Sequence, residues 1–164
     1  MKDLKGKVAI VTGSSSGVGA ATASMLASKG CNVVINFNSN SAGAESVAKE
    51  CEKQDVETLT VQANVANDAD CKALAEAAVQ KWGRIDVLVN NAGTTKFMDH
   101  SNLDGLTADD FQKIYGVNVI GAYQMVRAVA EQMKSQSSGG AVVNVASIAA
   151  VSYTHLTLPT RAVV

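Results

Sequence analysis

Short apolar runs alternate with amphipathic stretches along the first 147 residues of the chain. Five runs that are rich in β-branched residues have the length of buried strands, at residues 7–13, 31–37, 56–65, 85–93 and 139–147. The four stretches between them are predicted to be helices, at residues 17–30, 41–54, 67–83 and 107–136. Regular strand–helix alternation with short connections predicts parallel strands joined by right-handed crossovers, which form a doubly wound α/β sheet.

Residues that favour helix starts stand at three of these boundaries. Ser41 is predicted to be an N-cap, and Asn67 or Asp68 takes that place in the next helix. Thr107 and Asp110 have the spacing of a capping box, with Asp where Glu is more usual. These signals support helices that begin near residues 41, 67 and 107.

Composition and charge narrow the class of protein. At 164 residues, with 47% hydrophobic and 18% charged residues, the chain is predicted to form one globular domain. Its formal net charge of −1 favours neither a nucleic-acid surface nor a polybasic membrane patch. No apolar run is long enough to span a bilayer and the N-terminus has no apolar signal core, so a cytoplasmic location is expected.

The three cysteines, Cys31, Cys51 and Cys71, stand far apart in the sequence. They lack the CxxC spacing of a zinc site, and an odd number argues against a disulfide framework. We interpret them as packing or surface thiols and predict no metal site.

A glycine-rich stretch, TGSSSGVG, follows the first predicted strand and opens the first predicted helix. Its glycines, Gly13, Gly17 and Gly19, would allow a tight turn, a close approach of the backbone to a pyrophosphate, and packing of the helix on the sheet. The helix N-terminus would then present free N–H groups to the phosphates. An ordinary turn is the alternative, but the position between a strand and a helix favours nucleotide binding.

Four motifs in order extend this pattern: TGSSSGVG at residues 12–19, NNAG at residues 90–93, Asn118 within a predicted helix, and NVAS ending in Ser147. Together they resemble the classical short-chain dehydrogenase/reductase family, over residues 1 to about 149. The nearest likeness is to the 3-oxoacyl-acyl-carrier-protein reductase branch. The resemblance implies a Rossmann-type sheet with strand order 3-2-1-4-5. It also implies an NAD(P)(H)-dependent oxidoreductase that moves hydride between nicotinamide and an alcohol or carbonyl substrate.

The resemblance implies cofactor contacts as well. Asn64 and Val65, after the third strand, would line the adenine; the family frequently has Asp in place of Asn64, but an amide can both donate and accept. A second segment would pass beside the adenine ribose and consists of Asn91, Ala92 and Gly93. The residues that would hold the phosphates are Thr12, Gly13, Ser14, Ser15, Ser16, Gly17, Val18 and Gly19.

Two residues are implied to take part in the reaction. Asn118 would hold a water molecule in a proton relay, and Ser147 would hydrogen-bond the substrate oxygen. Each has a structural alternative. Asn118 stands among apolar residues, where an asparagine normally needs a buried partner, and a serine at a strand end is often only a cap.

The end of the second strand bears on the choice of cofactor. An acid there would hydrogen-bond the ribose 2′-hydroxyl of NAD and repel the 2′-phosphate of NADP. The stretch NFNSN at residues 36–40, in which Asn36 is the candidate cofactor contact, has neither a carboxylate nor an Arg or Lys. Neutral Ser and Asn donors tolerate a phosphate, so NADP(H) is favoured over NAD(H).

The family's reaction needs a Tyr and a Lys on one helical face, at positions i and i+4, because the Lys charge lowers the pKa of the phenol. Tyr153 comes only six residues after Ser147, Thr157 stands four beyond it, and no Lys follows Lys134. Tyr153 is therefore not expected to be catalytic. The chain is expected to lack the catalytic Tyr and Lys and to be inactive by itself.

The stretch VSYTHLTLPT, at residues 151–160, resembles the in-frame translation of a transposase-type sequencing adapter. Its Thr-rich composition and the chain's single Pro make it a poor start for a helix. We expect residues 1–149 to be the N-terminal part of a single dinucleotide-binding domain and residues 150–164 to be a non-native tail. The incomplete sheet would then expose its fifth strand and favour aggregation.

The expected partners follow from the same resemblance. The intact protein is expected to act on a small-molecule carbonyl or alcohol as a homotetramer, with no nucleic-acid or membrane partner. A non-catalytic NAD(P)-binding module is the alternative that the missing Tyr and Lys allow. A nucleotide-sugar or flavin-using relative fits the glycine loop alone, but NNAG, Asn118 and Ser147 argue against it. Among substrates a 3-oxoacyl thioester is favoured, while sugars, steroids and small ketones remain open.

Overall fold

The computed structural model describes residues 4–99 and 101–147. Tyr153 and the expected non-native tail, residues 150–164, lie outside the described residues. The strands form one sheet in the order β3-β2-β1-β4-β5, and every pairing is parallel. This confirms the predicted strand order and the doubly wound α/β class. The strands are β1 Val8–Val11, β2 Asn32–Phe37, β3 Thr58–Gln62, β4 Val87–Asn90 and β5 Ala141–Asn144.

Helices connect the strands as the hydrophobic pattern predicts, although their ends differ from the prediction. The N-cap of α2 is Asn40 rather than Ser41, because the Asn40 side chain accepts a hydrogen bond from the Gly43 N–H. Asn67 caps α3, as expected. The helices are α1 Gly17–Ala27, α2 Ser41–Glu52, α3 Asp68–Trp82, α4 Ala108–Tyr115 and α5 Ala122–Ser135, with a short 3₁₀ turn at Leu103–Gly105.

The stretch predicted as one long helix, residues 107–136, is interrupted. Helix α4 begins with the predicted Thr107–Asp110 capping box. Gly116–Gly121 then forms a π-helical segment, and α5 follows it directly. We call Gly116–Gly121 the π segment. The π segment is closely packed at its end, where a Cβ on Gly121 would lie 2.8 Å from Val65 Cγ2. The prediction of a regular helix is therefore wrong at the turn that contains Asn118.

The sheet is the middle layer of three, and alternate strand residues face the two helix layers. Val8, Ile10 and Leu88 belong to the cluster that includes residues of α3 and α5. Val11 and Val89 belong to the cluster that includes residues of α1 and α2. Burial of each large aliphatic side chain contributes about 1.5–3 kcal/mol, so the two clusters hold the helices against both faces of β1 and β4.

A buried carboxylate joins the starts of β1 and β4. Asp86 accepts a hydrogen bond from the Val8 N–H at 3.0 Å and forms ion pairs with Lys7 at 3.1 Å and Arg84 at 2.6 Å. Burial disfavours the charged form, but the hydrogen bonds from Arg84, Val8 and Lys7 outweigh it and hold the pKa of Asp86 at about 2. This network fixes the amino ends of the strands, opposite the end where the candidate site lies.

The β5 edge of the sheet is open in the part of the chain that the structure describes. β5 pairs only with β4 there, and all four of its residues are exposed. Val142 and Val143 are 41% and 50% exposed. The exposure of the fifth strand thus agrees with the expectation from the sequence.

The described helices include none that is both long enough and apolar enough to cross a membrane.

Candidate nucleotide site

Two adjoining cavities lie beyond the carboxyl ends of the strands. Cavity A has a volume of about 990 Å³ and borders the loops after β1, β2 and β3, while cavity B has about 770 Å³ and borders the loops after β4 and β5. The residues that line both are Val65, Asn91, Ala92, Gly93, Thr94 and Val117. In doubly wound sheets this edge is where ligands bind, at the point where the chain reverses its winding.

Glycines let the first loop pass close to its neighbours. Gly13 has φ +64°, and a Cβ there would lie 2.8 Å from Ala92 Cα. A Cβ on Gly19 would lie 2.5 Å from the Gly13 carbonyl oxygen and would also collide with the Asn91 amide. Real Cβ atoms do not approach so closely, so these two positions require glycine. The loop after β1 is therefore packed directly on the loop after β4.

The N-terminus of α1 offers main-chain donors. Ser16 is the N-cap residue in an extended conformation, but its side chain makes no capping hydrogen bond. The first turn contains no acidic residue. The first N–H groups of a helix lack intrahelical partners, and the helix dipole adds positive potential at this end. The α1 N-terminus therefore suits a phosphate group.

Thr12 ties the loop after β1 to the loop after β4. Its Oγ1 accepts hydrogen bonds from the N–H groups of Asn91 and Ala92, both at 3.0 Å. In return the Asn91 amide donates to the Thr12 carbonyl oxygen at 2.9 Å. The Thr12 side chain is 1% exposed. These residues lie between the two cavities, and the Thr12 hydroxyl and the Asn91 side-chain nitrogen are hydrogen-bonded inside the protein.

Asn36 and Ser14 have internal roles that the sequence did not indicate. The Asn36 side chain is 1% exposed; it accepts from the Gly13 N–H at 3.0 Å and donates to the Ala63 carbonyl oxygen at 3.0 Å. The Ser14 hydroxyl donates to Val11 O at 2.7 Å and accepts from the Asn36 N–H at 3.0 Å. Asn36 borders cavity A, yet its amide joins the ends of β1, β2 and β3.

The loop after β3 forms a fixed shelf, residues 63–67, along the cavities. Four of its five N–H groups have acceptors: that of Ala63 binds Phe37 O, that of Asn64 binds Asp70 Oδ2, that of Ala66 binds Asn64 Oδ1 and that of Asn67 binds Asn64 O. The fifth, that of Val65, has no acceptor among the described residues. A main-chain donor is thus available at Val65, one of the residues that line both cavities.

Asn118 lies in the π segment, and its side-chain amide is committed to one neighbour. Its Oδ1 accepts from the Thr94 N–H at 2.8 Å, and its Nδ2 donates to the Thr94 carbonyl oxygen at 2.9 Å. This pair of bonds clamps the chain just after the NNAG motif. Each end of the amide makes one of these bonds and keeps a second lone pair on Oδ1 and a second N–H on Nδ2, so a water molecule held by Asn118, as the sequence predicts, would bind one of these.

Ser147 and the end of β5 border cavity B. Asn144 faces Asn90 across the β4–β5 pair, and the Asn90 amide donates to Asn144 Oδ1 at 2.9 Å and to Ala122 O at 3.2 Å. The Oδ1 of Asn90 is buried and has no partner in the described structure. Ser147 is exposed and lies at the mouth of the cavity that also contains Asn118.

The structure brings most of the predicted site residues together. The shared lining contains Val65 and the segment 91–93, cavity A adds Gly13, Ser15, Ser16, Asn36 and Asn64, and cavity B adds Thr12, Asn118 and Ser147. Four predicted residues line neither cavity, namely Ser14, Gly17, Val18 and Gly19. The sequence did not point to Thr94, Asn144 or Lys113, which do line them. The position of Thr94 directly after NNAG was the one available signal.

Comparisons with known proteins agree with this geometry. The model of one family, described as short chain dehydrogenase, matches residues 7–158. A 3-oxoacyl-[acyl-carrier-protein] reductase of Synechocystis sp. is 39% identical over 149 residues, which cover 91% of this chain and 59% of that protein.

Two solved structures share the fold. The crystal structure of a short chain dehydrogenase from Burkholderia cenocepacia J2315 in complex with NADP has a TM-score of 0.83 and 32% identity, over 92% of this chain and 59% of that one. The crystal structure of an NAD⁺-bound xylitol dehydrogenase also has a TM-score of 0.83, with 31% identity over 92% and 56% of the two chains. The chain therefore spans less than two thirds of the length of these relatives.

Proposed function

The chain belongs to the short-chain dehydrogenase family, and we propose that it binds an NAD(P)(H) cofactor across cavities A and B. The observation that carries this proposal is the uncapped N-terminus of α1, beside a loop that only Gly13 and Gly19 allow to pack so closely. The pyrophosphate would bind these N–H groups. The adenine would lie on the shelf at residues 63–67, where the Val65 N–H is available.

NADP(H) is the cofactor that we propose in preference to NAD(H). Beyond β2, cavity A is bordered by the exposed residues Asn38, Ser39 and Asn40, which can donate to a 2′-phosphate and carry no negative charge. The charged residues that line this cavity are Asp109 and Lys113 on α4. The relatives include one structure with NADP and one with NAD⁺, so the argument for NADP rests on the neutral end of β2.

Fluorescence titration of the chain with NADPH and NADH tests the cofactor proposal. We expect NADPH to bind more tightly, and Asn38→Asp to weaken NADPH binding at least about tenfold relative to NADH, because a carboxylate would repel the 2′-phosphate. Gln80→Glu is the matched control, since it adds the same charge on the exposed face of α3. Tighter binding of NADH would contradict the preference, and binding of neither dinucleotide would contradict the proposed function.

For the whole protein we propose oxidoreduction of an alcohol or carbonyl substrate. When bound, the nicotinamide would supply or accept the hydride. Ser147, which lines cavity B, would hydrogen-bond the substrate oxygen. Asn118 would fix the main chain at Thr94, which lines the same cavity. A 3-oxoacyl thioester is the favoured substrate, since a reductase of that class is 39% identical.

The proton donor is proposed to be a Tyr–Lys pair in the part of the relatives' length that this chain does not span. We further propose that residues 1–149 are the N-terminal part of a single dinucleotide-binding domain and that residues 150–164 are not native. The expected activity of this chain is cofactor binding without turnover. Sequencing the source DNA across codon 149, without a transposase adapter, tests this: an encoded Tyr-x-x-x-Lys supports it.

A non-catalytic NAD(P)-binding module is the second candidate. It is favoured by one feature of the sequence, the absence of any Lys after Lys134. If the source DNA encodes residues 151–164 followed by a stop codon, this candidate replaces the enzyme. Cofactor binding is expected in both cases, so the titration and the sequencing answer separate questions.

A further inference from the structure

Gln124 is a buried amide in the first turn of α5, on a face that otherwise packs apolar side chains. Its exposure is 9%, and the neighbouring core residues Met125 and Val129 are fully buried. A polar side chain in such a place is stable only when it is hydrogen-bonded. The Gln124 Nε2 donates to the Val65 carbonyl oxygen at 2.8 Å, which joins two positions 59 residues apart.

The Val65 carbonyl is held from two sides. Besides Gln124, the Cys71 thiol donates to it at 3.2 Å. The Gly121 backbone lies so close beneath Val65 that a Cβ on Gly121 would collide with the valine side chain. Residue 65 therefore has a fixed main-chain position, with its carbonyl turned to the helix layer and its N–H without an acceptor in the described chain.

We propose that Gln124 is a positioning residue for the nucleotide base. By holding the Val65 carbonyl, it keeps the adjacent N–H of Val65 at the cavity, where a base can accept its hydrogen bond. Gln124 itself lines neither cavity and acts through Val65. The inference rests on the proposed function, because it assumes that a dinucleotide occupies the shelf.

The same helix supplies a matched control. Gln132, two turns further along α5, donates from Nε2 to the Gly83 carbonyl oxygen at 3.1 Å. It therefore makes the same kind of long-range bond to a main-chain carbonyl, but at the C-terminal end of α3, away from both cavities. Gln124→Met and Gln132→Met each remove one such bond and keep a side chain of similar length.

The experiment measures binding of NADPH by fluorescence and of AMP by calorimetry, with the thermal midpoint of each variant recorded in parallel. Both substitutions are expected to lower the thermal midpoint. Gln124→Met is expected to weaken the binding of NADPH and of AMP about tenfold, since the base loses a fixed donor. Gln132→Met is expected to leave both affinities within about twofold. Titrations are made at a temperature where the circular dichroism of all three proteins is that of the folded state.

The outcomes distinguish failure of the proposed role of Gln124 from failure of the proposed cofactor binding. If the unaltered chain binds NADPH and Gln124→Met binds it as tightly as Gln132→Met does, Gln124 is structural only and the inference is overturned. If Gln124→Met does not fold, Gln124→Leu replaces it: the shorter apolar side chain fits the same space and cannot donate to Val65, and unchanged affinity there also overturns the inference. If the unaltered chain binds neither probe, the proposed function fails and this inference fails with it.

Discussion

Two regions of the sheet differ in how completely the protein covers them. One is the region around β1 and β2, which we call the covered side, and the other is the β5 edge, which we call the open side. Around β1 and β2 every strand residue except Asn32 is buried, and helices cover both faces. At β5 all four residues are exposed, and the apolar side chains Val142, Val143 and Val145 meet solvent. The proposed phosphate and adenine contacts lie on the covered side, whereas Ser147 lies on the open side.

This difference separates the proposed cofactor contacts from the proposed substrate contact. On the covered side the polar groups of Thr12, Ser14 and Asn36 are satisfied inside the protein, so the cofactor end of the site is rigid before any ligand arrives. At the open side the buried Oδ1 of Asn90 has no partner among the described residues, and cavity B is bordered by an exposed strand. Three substitutions test how much each region contributes to stability, and they are given in order of decreasing expected effect.

Gly19→Ala is expected to have the largest effect, because it strikes the most closely packed point of the covered side. The new Cβ would lie 2.5 Å from the Gly13 carbonyl oxygen and would collide with the Asn91 amide on the loop after β4, so the loops after β1 and β4 would have to separate. We expect a loss of about 3 kcal/mol in the free energy of unfolding, together with loss of NADPH binding. Urea denaturation and the titration described above measure the two effects.

Gly17→Ala is the control for that substitution. Gly17 has φ +56°, but a Cβ there would have no atom within 4 Å. It should cost only the backbone strain, about 1–2 kcal/mol. Equal losses for the two alanine variants would show that packing between the loops is not what requires glycine at position 19.

Asp86→Asn is expected to have the second largest effect. It removes the ion pairs with Lys7 and Arg84 at the amino ends of the strands, and we expect a loss of about 2 kcal/mol at pH 7. The pKa of Asp86 lies at about 2, below its ordinary 3.8, so the carboxylate stabilises the fold fully above the ordinary value. This contribution disappears as the pH falls through about 2.

The difference between Asp86→Asn and the unaltered chain should therefore shrink between pH 4 and pH 2. Denaturation curves across this range measure it. Glu131→Gln, which removes an exposed pair with Lys134, is the control and should change the stability by less than about 0.5 kcal/mol at any pH. A difference that stays constant down to pH 2 would mean that the charge of Asp86 is not what stabilises the strands.

Val143→Lys is expected to have the smallest effect on stability, because it strikes the open side. Val143 is 50% exposed, so the free energy of unfolding should change by less than about 0.5 kcal/mol. A lysine on an edge strand opposes pairing with another chain, so light scattering of concentrated solutions should fall. Ala42→Lys adds the same charge on α2 as a control, and an equal fall in scattering there would assign the effect to net charge alone.

The strand order and the helix layers could be predicted from the sequence because they depend on residue type and spacing. Strands rich in Val and Ile, separated by helices, have few ways to pack. The strand ends were predicted too long, since runs such as residues 85–93 continue beyond the last ladder pair at Asn90. The residues after that pair still lie at the site, because loops follow the strands there.

Two features of the site could not be predicted in this way. The Asn36 side chain bonds Gly13 and Ala63, and only the packing of three strands reveals those partners, while its contact with the cofactor stays a prediction. The π segment was expected to be regular helix, because the pattern of apolar residues does not reveal a change of helical pitch that is confined to one turn. The glycines at both of its ends, Gly116 and Gly121, were its one trace in the sequence.

The π segment also makes the chain sensitive to changes in length. A π turn, with its i→i+5 hydrogen bonds, holds one more residue than an α turn, so the loss of one residue between 116 and 121 would leave regular α-helix with α5 in place. Each residue in a helix turns the chain by about 100°, so a further residue inserted there would rotate all of α5 about its axis. Met125 and Val129 would leave the core, and Gln124 would turn away from Val65. A single-codon insertion in this one turn would therefore disrupt the core and the shelf at residues 63–67 together, whereas a single-codon deletion there would disrupt neither.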